Sequence, residues 1–255
     1  MTKTPGLRAP RLMAAALALA LAGPVQALDL TAMTPAEREA FGAEVRAYLL
    51  ANPQVLMEAI AVLEQQDQAD QAAADLALLQ ANAEVIFRDP ASWAGGNLDG
   101  DITVVEFVDY RCSYCRRAHD EVAELVRSDG NIRLVLKEFP ILGEDSVRAS
   151  RFAIAVLQLA GPDAYKRVHD ALITLRGAVN DQTLTRLARD QGLDAAAILA
   201  RMSTPEVEAV IAANHQLAGL LQISGTPTFV IDQTMVRGYV PLDGMRQIVA
   251  GQRAD

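Results

Sequence analysis

The chain holds two cysteines, and they stand two residues apart: Cys112-Ser113-Tyr114-Cys115. Directly before them runs the apolar stretch Ile102-Thr103-Val104-Val105-Glu106-Phe107-Val108-Asp109-Tyr110, and directly after them comes helix-like patterning to about Arg127. A strand that delivers a thiol pair to the head of a helix admits few topologies. It is also the setting in which two thiols become a redox centre.

The N-terminus points to export. Lys3, Arg8 and Arg11 precede an unbroken apolar stretch from Leu12 to Ala22. Gly23 and Pro24 then break it, and Val25-Gln26-Ala27 offers the small residues a signal peptidase reads. Residues 1–27 therefore read as a cleaved signal peptide. Their apolar core is shorter than the roughly 20 residues a membrane span needs. Removing them leaves 228 of 255 residues and takes the net charge from −9 to −12, since the segment carries three positive charges and no negative one. An acidic chain excludes nucleic acid as the expected partner. Exported proteins use cysteine chiefly for bridges, but a bridge between Cys112 and Cys115 closes a ring too small to add much stability. Reactivity explains the pair better than stapling does.

Residues 28–88 read as a helical segment. Thr34-Pro35-Ala36-Glu37 is a helix start: a Thr cap, Pro at the first position, then an acid. Asn52-Pro53 interrupts the pattern and starts a second helix to about Val85, with a polar middle from Glu64 to Asp75. It reads either as an exposed oligomerisation element or as a helix packed on the main domain. Residues 89–101 read as a boundary loop rich in Gly and Asp, with Trp93 anchoring it. Residues 89–255 then follow the order β-α-β, a block of helices over about 144–222, then β-β-α. The predicted class is α/β: a thioredoxin fold with a helical insertion, preceded by the N-terminal helices.

At a helix start, unsatisfied N–H groups and the dipole favour a thiolate, so Cys112 is the expected nucleophile and Cys115 the buried resolving thiol. Ser113 and Tyr114 tune the pair: Ser113 can donate to the Cys112 sulfur, and Tyr114 brings no positive charge. Glu106 interrupts an otherwise apolar strand. It either relays the proton of Cys115 or is a structural carboxylate, reaching solvent or paired with Lys137 on the neighbouring strand. His119, four residues after Cys115, is a candidate third metal ligand. Structural zinc wants four, so no metal is assigned, although the reduced pair suits Cu(I). Pro227 opens an apolar strand, where the missing N–H is tolerated. His169 and His215 read as surface or packing residues.

Three motifs in order now resemble one family: Val104 to Cys115, then Lys137-Glu138-Phe139-Pro140-Ile141-Leu142, then Gly225-Thr226-Pro227-Thr228-Phe229. The chain is similar to the DsbA-like thiol-disulfide oxidoreductases, closest to the Com1/ScsC-type branch. Asn52 to Ile60 also resembles the N-terminal helical segment of that branch. The resemblance implies a periplasmic enzyme with no cofactor beyond the Cys112–Cys115 disulfide. Exported proteins with thiols or disulfides would be its substrates, and a membrane redox partner would reset it. It further implies a cis bond before Pro227, a Thr226-Pro227 loop that faces the cysteines and holds substrate, and Glu106 as the buried acid. Ser113-Tyr114 stands where the best-known pattern has Pro-His, which argues against a very strong oxidant. Segments like 28–88 oligomerise related proteins, which leaves a homo-oligomeric isomerase as one alternative and a copper-handling thiol protein as another.

Overall fold

Helix α1 (Pro35–Ala51) starts with a reciprocal cap. The Thr34 hydroxyl accepts from the Glu37 N–H at 3.3 Å, and the Glu37 carboxylate accepts from the Thr34 N–H at 2.8 Å. Asn52 closes the helix by donating its side-chain amide to the Tyr48 carbonyl at 2.9 Å. Helix α2 (Gln54–Ala81) follows. The computed structural model describes residues 31–254, so the expected signal peptide lies outside the described residues. The chain divides into two units between Glu64 and Gln65, inside α2. That division lies upstream of the 89–101 segment where the sequence places a boundary, and residues 65–88 belong to the second unit.

The second unit continues with α3 (Ala83–Phe87), β1 (Trp93–Gly96), β2 (Ile102–Val108), α4 (Ser113–Asp129) and β3 (Ile132–Glu138). Four helices come next: α5 (Glu144–Thr174), α6 (Asp181–Asp190), α7 (Ala195–Arg201) and α8 (Pro205–Leu220). The chain closes with β4 (Thr228–Ile231), β5 (Thr234–Arg237) and α9 (Leu242–Gln252). The sheet order is β1-β3-β2-β4-β5, with β2 and β3 parallel and the other pairs antiparallel. This is the thioredoxin fold with a helical insertion that the order of elements predicts. Helix α5 is broken at Gly161, which takes φ +81° just before Pro162.

One element corrects the sequence reading. Trp93-Ala94-Gly95-Gly96 looks like loop and is an edge strand against β3. The glycines are there for space: a Cβ on Gly95 would lie 2.3 Å from the Trp93 ring, and one on Gly96 would lie 2.5 Å from the Ile132 carbonyl oxygen. Trp93 does anchor the segment. Its indole donates to the Pro162 carbonyl at 3.0 Å and stacks on Tyr165.

Alternation along β2 and β3 sorts side chains onto two layers. Val104 and Val108, with Leu134 and Leu136 of β3, join one core cluster with Cys115, Ala118 and Val122 of α4. Val105, Phe107 and Val135 join the other, with Leu79, Ile86 and Leu217. Glu106 shares the parity of Val104 and Val108, and so lies on the cysteine side of the sheet. The parallel register sets Glu106 opposite Leu136 and Phe107 opposite Lys137.

Candidate active site

Cys112 is the N-cap of α4. Its sulfur takes the place of the usual Ser or Asp oxygen and accepts the Cys115 N–H at 3.4 Å. Its sulfhydryl also donates to the Thr226 carbonyl at 3.1 Å. The Thr226–Pro227 peptide is cis, and Pro227 is buried at the head of β4. Residues 114 positions apart in sequence thus share one site, as the resemblance implies. The hydrogen bond from the Cys115 thiol lowers the Cys112 pKa most. The Thr226 side chain and the main-chain N–H groups of Cys115 and Tyr114 help, and together they outweigh burial to bring it down to about 5. The same Cys112–Cys115 bond, with burial and the charge of Glu106, pushes the Cys115 thiol far up. One sulfur is built to be a thiolate and the other to stay a thiol.

The tuning pair behaves differently from expectation. The bonds to the Cys112 sulfur come from Cys115, Tyr114 and Thr226, not from the Ser113 hydroxyl, which is exposed. Tyr114 stacks on Tyr239 at 6.1 Å between centroids, and the Arg117 guanidinium lies 4.5 Å over the Tyr239 ring.

Glu106 is buried. Burial, then the charge of Cys112, then that of Glu138 raises its pKa to about 8, so it is protonated at neutral pH. Lys137 is not its partner, which corrects the sequence reading. One residue along from Leu136, it projects to the opposite layer. There its ammonium donates to the Val85 carbonyl at 2.9 Å and to Asp89 Oδ2 at 2.6 Å. Burial pulls the Lys137 pKa down, against the pull of Asp89. Lys137 therefore ties α3 and the following loop to the sheet and does not tune the thiols.

Sequence reasoning missed a buried polar network beside the site. The Glu138 carboxylate accepts from the hydroxyls of Tyr110 at 2.7 Å, Tyr165 at 2.6 Å and Ser150 at 2.7 Å. The Tyr110 hydroxyl also meets His169 Nδ1 at 3.0 Å. Burial still lifts Glu138 to about 7 and drops His169 to about 3, so His169 is a neutral core group. Asp109 accepts from the N–H groups of Arg111, Ile141 and Leu142 and from the Ser146 hydroxyl, which pins the loop before Cys112 to the chain after β3. The available signal was the same one that exposed Glu106: Glu138 also interrupts an apolar strand.

The comparisons with known proteins agree with this geometry. Residues 103–250 match the family described as DSBA-like thioredoxin domain. Residues 37–70 match the copper resistance protein ScsC N-terminal domain. The crystal structure of a thioredoxin-like oxidoreductase from Silicibacter pomeroyi DSS-3 is 42% identical, with a TM-score of 0.63 over 68% of this chain and 98% of that one. ScsC from Proteus mirabilis, in a transitional conformation, is 27% identical, with a TM-score of 0.63 over 88% of this chain and 98% of that one. A curated relative, Na(+)/H(+) antiporter NhaA 1 of Salinispora arenicola (strain CNS-205), is 28% identical over 155 residues. That match takes in 60% of this chain and only 24% of the antiporter's length.

Proposed function

The chain belongs to the family of DSBA-like thioredoxin domains, and we propose that it is a periplasmic protein thiol-disulfide oxidoreductase acting on exported proteins. The observation that carries this reading is the Cys112 sulfur, capping α4 and facing the Thr226 carbonyl at 3.1 Å. In the oxidised enzyme, a substrate thiolate attacks Cys112 Sγ. The Cys112–Cys115 bond breaks, and Cys115 leaves and takes a proton, with Glu106 as the donor. A second substrate thiolate then attacks the mixed disulfide and expels Cys112 as a stable thiolate. Two electrons pass to the enzyme together with the one proton held on Cys115. The other substrate proton goes to solvent because Cys112 stays a thiolate, and a membrane redox partner removes the electrons. The Thr226-Pro227 loop holds the substrate backbone beside Cys112. The signal-like residues 1–27 support the compartment.

The direction of exchange depends on the reduction potential and on the redox partner, and the acidity of Cys112 bears on the first of these. A leaving thiol of lower pKa departs faster and makes its disulfide more oxidising. The Cys112 value of about 5 falls between those of thioredoxin, about 7, and DsbA, about 3.5. The reduction potential is therefore expected between about −270 and −120 mV, measured by equilibration with glutathione. A potential at or below the thioredoxin end would turn the reading from oxidase or isomerase to reductase.

The isomerase alternative rests on a separate observation. No residue of α1 is buried, and Phe41, Tyr48, Leu56, Met57, Ile60 and Leu63 are exposed. An exposed apolar set of this kind marks an interaction surface. The full chain is expected to scatter light as an oligomer, and the chain lacking 28–64 as a monomer. If both run as monomers, residues 28–88 are not the assembly element.

A further inference from the structure

Among the described residues, one group of side chains outside the thiol pair comes together at metal-ligand spacing: His119, His169 and Asp170. His119 lies on α4, one turn beyond Cys115, while His169 and Asp170 are neighbours on α5. One ligand atom from each lies within 4.8 Å of the other two, and His119 Nε2 is 3.2 Å from Asp170 Oδ1. Around a tetrahedral zinc ion with bonds of about 2.0–2.1 Å, ligand atoms stand about 3.3–3.4 Å apart. One edge of the triangle therefore has its final length already. The others close by at most about 1.4 Å.

The outer shell is built as well. The Tyr110 hydroxyl commits its proton to Glu138, so its oxygen faces His169 Nδ1 as an acceptor. That places the His169 proton on Nδ1 and leaves Nε2 with its lone pair. Ligating histidines are held in this way, with the second ring nitrogen anchored to an outer acceptor. A cavity of about 30 Å³ bounded by His119, His169, Lys166 and Glu106 adjoins the cluster, enough for one water. Lys166 stands in as a cation, donating to both Asp170 oxygens at 2.5 and 2.7 Å. Its side chain is 36% exposed and can swing into water.

We propose that His119, His169 and Asp170 form a zinc site, with three protein ligands, an open fourth position and Lys166 as the competing cation of the empty state. Two imidazoles and a carboxylate are a ligand set suited to zinc. The test titrates zinc into the oxidised full chain, whose disulfide removes the thiols as ligands, against a chromophoric chelator. One equivalent is expected to bind. His119→Ala and Asp170→Asn should each weaken binding by at least about tenfold. Lys166→Gln should tighten it roughly two- to fivefold, the effect of losing one partly exposed ion pair. The Lys166 variant keeps the test sound if a ligand variant misfolds, since it needs a gain. Cobalt(II) should give the visible absorption of a tetrahedral centre. Failure of the oxidised chain to bind zinc, or zinc binding that none of these variants alters, would overturn the site.

Discussion

Cys112→Ala is expected to abolish both dithiol oxidation and refolding of scrambled ribonuclease, with turnover down by about three orders of magnitude or more. The thiolate is the reacting species, and no other residue can replace it: the chain holds one further cysteine, and its burial, which persists in the variant, keeps that thiol from ionising and out of reach of substrate. Fold and helix content should survive, because an N-cap lost to alanine costs only about 1 kcal/mol. Cys115→Ser should behave differently. It leaves Cys112 able to attack but unable to release, so a mixed disulfide with substrate accumulates and can be trapped on a non-reducing gel. In the wild type, thiolate absorbance should titrate with a midpoint near 5. Full exchange activity in the alanine variant would remove the central assignment.

Glu106→Gln should slow exchange by about a hundredfold, the ordinary worth of one positioned general acid or base. The effect has a pH signature. The Glu106 pKa of about 8 makes it a proton donor at neutral pH and a proton acceptor above that. Wild-type steps that need Cys115 deprotonated should therefore accelerate as pH rises through 8, and the glutamine variant should lack that rise. Stability changes with the opposite sign to the usual carboxylate. The folded pKa lies above the ordinary 4.5, so the folded state holds a proton that the unfolded state has released. Wild-type stability therefore falls as pH climbs from about 4.5 to about 8. Glutamine cannot ionise, so the variant should gain on the wild type over that window by a margin on the order of 4 kcal/mol. Urea midpoints at pH 4.5 and 8 read this directly. A pH-independent difference between the two proteins would mean that Glu106 is solvated or paired.

Much of the site can be read locally. Cys112 as N-cap depends on an i to i+3 bond, and Thr34-Glu37 on another, so both are visible in short runs of sequence. Glu106 stands out because a carboxylate in an apolar strand is expensive. The same logic reaches Glu138 but cannot say that Tyr110, Tyr165 and Ser150 will satisfy it, since Tyr110 precedes α4 while Ser150 and Tyr165 lie on either side of the break in α5. The Trp93–Gly96 strand escaped notice because glycines that signal a turn here make room for a tryptophan ring.

What the sequence alone determined was the chemistry type, the polarity between the two thiols and the α/β order, because each rests on neighbours along the chain. What only the tertiary structure decided was the side of the sheet and the partner across it. The parallel register of β2 and β3 sends Lys137 away from Glu106 and toward Asp89. Packing of α5 on α4 gathers His119, His169 and Asp170. The turn before β4 brings the Thr226 carbonyl to the Cys112 sulfur. Side-chain direction alternates with a period of two, and one residue of register moves a group to the opposite face. Pairing between distant segments, which no local pattern encodes, settles which face each residue meets.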